Sequence, residues 1–135
     1  MVDSMTKVAV ISTNDSVYGV NKSLELLNIN PVKGKNVIFK PNFNTADPPP
    51  ASSSMETVKQ LVLKLKEMGA ESITLAERAG PAKTSEVFEK VGLNALAKDL
   101  GFKIVDLTDV SKDEYIYKKL INKVYKGWII MNNIY

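Results

Sequence analysis

The chain has 135 residues, with 18 basic and 15 acidic side chains and a formal net charge of +3, the size of one ordinary domain and enough to bury roughly two-thirds of the surface of its unfolded form. Hydrophobic residues at 44% and charged residues at 24% exclude a disordered chain, and the mild excess, +1 over residues 1–112 and +2 over 113–135, lacks the basic stripe of a nucleic-acid binder. With no cysteine and no histidine, the chain has no disulfide, no thiolate nucleophile, no iron–sulfur cluster of its own, no imidazole base and no histidine-bound zinc.

Lys7 to Ile11 is a short continuous apolar run of the kind that makes a buried parallel strand. It is too brief for a signal peptide, and no run approaches the ~18 apolar residues of a membrane span, so a cytoplasmic protein with no membrane contact is expected. Ser12 to Ser16 is a cluster of turn and cap residues. Val17, Val20, Leu24 and Leu27 then recur at helical spacing, predicting an amphipathic helix over 17–28 that Asn30-Pro31 ends. After a turn at Lys33-Gly34-Lys35, Asn36 to Lys40 is the second strand, stopped by Pro41. Residues 41–52 hold four prolines among Asn, Thr and Asp, a long loop of the sort that is often functional or mobile.

Ser53-Ser54-Met55-Glu56 reads as a capping box with Ser53 as the cap. Val58, Leu61, Val62, Leu65 and Met68 make the apolar face of the helix that follows, and Gly69 closes it. Ser72 to Ala76 is the third strand, ending at Glu77-Arg78. A helix capped by Thr84 or Ser85 runs through Val91, and a second short helix runs from Leu93 to Leu100 before Gly101. Lys103 to Leu107 is the fourth strand. Lys66-Glu67-Met68-Gly69 and Lys98-Asp99-Leu100-Gly101 each lead into a strand, the same helix–Gly–strand step repeated 32 residues on. Tyr115 to Val124 suits a helix or a strand. Lys126 to Met131 is strand-like, either the last strand of the sheet or a chain cut within its domain.

Strands alternating with helices imply right-handed crossovers and a mostly parallel sheet. The expectation is a single α/β domain over 1–135: a Rossmann-like three-layer sandwich with four to five strands. Ligands of such sheets bind beyond the carboxyl ends of the strands, near a switch in strand order. The residues that follow the strands are Ser12 to Asp15, Lys40 and Asn42, Glu77 and Arg78 with Gly80, and Asp106, Thr108 and Asp109. The first and last groups are equally well explained as caps and turns. Lys40 is the sharper candidate, because an ammonium at the end of an apolar strand needs a partner, and Glu77 on the neighbouring segment can supply it. Lys40, Asn42 and Glu77 are therefore the expected ligand-binding residues, and the Pro-rich loop is placed to close over them. Asn42, Glu77 and Asp106 carry oxygens that suit Mg²⁺, at a spacing that is not diagnostic. Neither a G-x-G-x-x-G turn nor a Walker lysine loop is present.

The run Asn36 to Phe43, with its Lys-Pro-Asn, resembles the "domain of unknown function 362" family. The loop from Thr45 to Pro50, the helix from Met55, Glu67 to Ala70, Ile73 to Glu77, Val91 to Leu93 and Leu100 to Asp106 continue the resemblance in order, which spans residues 7 to about 109. Members of that family are longer and some are fused to ferredoxin-like cluster domains, which implies redox-associated work that this cysteine-free chain would serve only through a partner. Three functions follow as expectations: a small-molecule or anion-binding, enzyme-like domain; a non-catalytic module docking on an iron–sulfur partner or on its own copy as a homo-oligomer; or an inactive fragment of a longer member.

Overall fold

In a computed structural model of the chain, residues 7–111, 115–118 and 128–131 are described. Helix α1 spans Ser16–Leu27, strand β1 Asn36–Phe39, α2 Met55–Glu67, β2 Ser72–Glu77, α3 Thr84–Lys90, α4 Leu93–Leu100 and β3 Lys103–Asp106. Strands β4 (Tyr115–Lys118) and β5 (Trp128–Met131) follow. β1, β2 and β3 form a parallel sheet in that order, with Val37 beside Ile73 and Phe39 beside Leu75 and Ile104. β4 and β5 pair antiparallel in a sheet of their own, so the strand-like run near residue 128 does not extend the parallel sheet.

The register explains where the core lies. Val37, Phe39, Ile73, Leu75 and Ile104 stand on one face of the sheet, and all belong to the apolar core. Val58, Val62 and Leu65 of α2, Val87 and Phe88 of α3, and Leu93 and Ala97 of α4 close that core. Asn36, Ile38, Thr74, Ala76 and Val105 point to the other face and take no part in it. Right-handed crossovers that all advance in one direction put every helix on the same side. The described residues therefore make two layers and three parallel strands, where three layers and four to five strands were expected. No switch in strand order occurs within this sheet.

Lys7 to Ile11 departs most from expectation. It forms no strand, and Val8 and Val10 are 78% and 82% exposed. An apolar run becomes a strand only where a sheet edge accepts its backbone, and that long-range pairing is absent here. Helix α1, capped by Asp15 accepting from the Tyr18 N–H, lies along α2 but buries none of its residues fully. The cap of α2 is Ser54, whose Oγ accepts from the Thr57 N–H at 3.1 Å, not Ser53. Helix α3 has no side-chain cap: its cap position is Lys83, whose side chain has no acceptor, and Thr84, the first helical residue, accepts from the Ala79 N–H instead.

Candidate functional site

β1 and β2 run side by side in the same direction, so Lys40 and Glu77 emerge together at their carboxyl ends. Glu77 is 1% exposed. A buried carboxylate must have its oxygens met by donors, and three meet this one. Oε2 accepts from the Phe43 backbone N–H at 3.0 Å, Oε1 from the Arg78 N–H at 2.8 Å, and Lys40 Nζ stands 2.6 Å from Oε1. The ion pair expected between Lys40 and Glu77 is thus present, with an unequal division of exposure. The lysine side chain is 61% exposed, while the carboxylate sits under it. Glu77 fixes where the ammonium stands, and the ammonium faces solvent at the sheet edge.

The same carboxylate anchors the loop that follows β1. Phe43 is completely buried in the core, and its N–H is the one Glu77 holds. Asn42 turns the other way: its Nδ2 donates to the Ala51 carbonyl at 3.0 Å, and its N–H donates to Ser53 Oγ at 2.9 Å. The Ser53 N–H returns to the Asn42 carbonyl. Ser52 Oγ donates to the Thr45 carbonyl, and the Gly80 N–H donates to the Asn44 carbonyl. Asn42 therefore clamps the two ends of the Pro-rich loop together. These bonds explain why Ser53 does not cap α2: its hydroxyl is already engaged.

Beside this pair, a cleft of about 350 Å³ opens at the ends of β2 and β3. Arg78, Lys83, Ser85, Asp106 and Asp109 contribute to its lining. Its floor is organised by Thr84, 2% exposed, whose Oγ1 accepts from the Ala79 N–H at 3.0 Å and lies 2.7 Å from Thr108 Oγ1. The Thr108 N–H donates to Asp106 Oδ1 at 2.8 Å, and the Leu107 N–H to the Glu77 carbonyl. The edge thus offers three cations, Lys40, Arg78 and Lys83, with carboxylates able to accept from hydroxyl or amino groups and a hydroxyl pair. Sequence reasoning placed Arg78, Asp106 and Thr108 at this edge but offered Thr84, alongside Ser85, only as a helix cap; nothing local distinguishes a capping threonine from one reaching back five residues.

Other expected groups lie apart. Ser12 to Asp15 follow no strand; Thr13, Asn14 and Asp15 line a separate groove between α1 and α2 with Thr57 and Leu61. Of the groups whose oxygens suit Mg²⁺, Glu77 has both oxygens on backbone N–H donors, and Asn42 is tied to the loop through its amide nitrogen and backbone N–H. Among the described residues no three acidic side chains gather as a metal cluster.

Among the described residues no helix is long and apolar enough to cross a membrane. No curated protein and no solved structure matches the chain. Residues 37–135 match the family model described as domain of unknown function (DUF362), a match that begins at β1 and continues well past the residue 109 at which the resemblance was drawn. That segment, opening on the strand that delivers Lys40 and containing every residue of the Glu77 constellation, is most of the sequence, and the chain belongs to the DUF362 family.

Proposed function

We propose that the carboxyl edge of the sheet binds a small polar molecule carrying an anionic group, with Lys40 and Arg78 as its charged contacts. The observation behind this reading is Glu77. A fully buried carboxylate that orders two backbone amides and holds an exposed ammonium at 2.6 Å is a device for positioning that ammonium. Arg78 and Lys83 in the adjoining cleft extend the cationic side, while Asp106 and Asp109 suit a ligand that also bears hydroxyl or amino groups. In this reading Glu77 and Asn42 act as positioning residues: one aims Lys40, the other holds the loop that frames it.

The reading extends to the rest of the fold. The face bearing Ile38, Thr74, Ala76 and Val105 is mixed but largely apolar, Thr74 and Ala76 on it are buried, and parallel sheets are ordinarily covered on both faces. A Rossmann-like sandwich with a further layer and further strands accounts for it, in a cytoplasmic setting consistent with a cysteine-free sequence.

The test is an NMR titration of ¹⁵N-labelled protein with inorganic phosphate and a panel of small carboxylates. Shifts clustered at residues 40–43, 77–85 and 106–109 are expected. Lys40→Ala is expected to weaken the best ligand about tenfold, the size of one lost charge-assisted hydrogen bond, with an unchanged spectrum elsewhere. Equal binding by the variant, or shifts confined to other surfaces, would sink the proposal.

A further inference from the structure

Two unfilled halves of one β-ladder exist in the chain. The first is Lys7 to Ile11, apolar, unpaired, and with Val8 and Val10 in water. The second is the outer edge of β1: among the described residues β1 pairs only with β2, and Ile38 on it is exposed. An open apolar edge beside a free apolar strand is a standing invitation to pairing.

Connectivity says where the free strand belongs. β1 passes through α2 into β2 by a right-handed crossover, and α1 lies along α2 in the same helical layer. A strand leading into α1 and then into β1, with the same hand, takes the place beside β1's outer edge. Lys7 to Ile11 is the segment that leads into α1, yet within its own chain it stands off that place. Between that segment and α1 lie four exposed residues, Ser12 to Asp15; Thr13 and Asp15 bond to each other and Asp15 caps the helix, which leaves Ser12 as the place where the chain can change direction.

We infer that this segment fills the β1 edge of a second copy of the chain, and that the second copy returns the same strand. The exchange is symmetric and closed, so it ends at two copies. It also distinguishes a second copy from a foreign extended peptide. A foreign strand would cover β1 but leave Val8 and Val10 in water, whereas exchange removes both exposed features in both copies.

Native mass spectrometry and light scattering across a concentration series test this directly. The expected species has twice the 14.9 kDa chain mass. Val8→Glu combined with Val10→Glu is expected to give a monomer with unchanged helical circular dichroism, since neither side chain contributes to the core. Because the chain contains no cysteine, Val10→Cys with Ile38→Cys adds a clean second readout using a short bis-maleimide. A cross-linked dimer whose digest joins positions 10 and 38 supports exchange. A wild-type monomer, a dimer that survives the double glutamate variant, or a 10–38 link formed within single chains would each overturn it. The last outcome would mean that the strand closes its own sheet.

Discussion

Replacing Glu77 with glutamine tests whether this carboxylate holds the sheet edge together. The substitution keeps shape and volume, so no cavity complicates the result. It exchanges one acceptor oxygen for an NH₂ group, and both existing oxygens serve N–H donors. Whichever way the amide turns, one donor is left facing another. If it is the Phe43 N–H, its residue is completely buried and water cannot substitute. An unmade buried bond costs about 1–3 kcal/mol, and the remaining bonds weaken as a charged acceptor becomes neutral, so the total is about 2–5 kcal/mol. Domains of this size are stable by roughly 5–15 kcal/mol. With a urea slope of about 2 kcal/mol per molar, the unfolding midpoint should fall by about 1–2.5 M. Lys40→Met is the control: it removes the ammonium, which is 61% exposed, and leaves both amide bonds in place. It should cost less than Glu77→Gln, because both backbone amides stay on the carboxylate and only the exposed cation is lost. Urea titrations followed by far-ultraviolet circular dichroism read both. A wild-type midpoint for Glu77→Gln, or an equal loss for Lys40→Met, would refute the argument that the amides carry the energy.

Two further substitutions probe the scaffold. Leu75→Ala, at a completely buried position in the central strand, should lose about 2–5 kcal/mol in the same titration, and a loss below that range would mean that neighbouring side chains collapse into the gap. Ser54→Ala should cost about 1 kcal/mol through the loss of the α2 cap. If Ser54→Ala proves neutral, Ser53 or water has taken over the Thr57 N–H.

The three parallel strands and the four helices were readable because each is fixed by local chemistry. Gly69 and Gly101 stop α2 and α4, and β-branched runs follow them within a few residues. The Lys40–Glu77 pair was readable for a related reason: neighbouring parallel strands deliver their last residues to the same edge. What escaped depends on contacts far apart in sequence. Lys7 to Ile11 has the composition of a strand, but only a partner's backbone could make it one. Ser53 and Ser54 are equivalent as caps until Asn42, eleven residues before Ser53, claims the first. Thr84 resembles a cap until its hydroxyl is found on the Ala79 N–H and beside Thr108. The two-layer arrangement follows from strand order, which periodicity alone does not contain.

The clamped Pro-rich loop bears on how quickly a ligand would come and go. With Phe43 seated in the core, Glu77 on its amide and Asn42 bonded to both Ala51 and Ser53, the rim beside Lys40 is already in its final position. An arriving molecule then has no segment to order, so the entropy that a closing lid would consume stays available to affinity. Association would be limited by diffusion and orientation, with no slow conformational step, and differences among ligands would appear mainly in how long each remains bound.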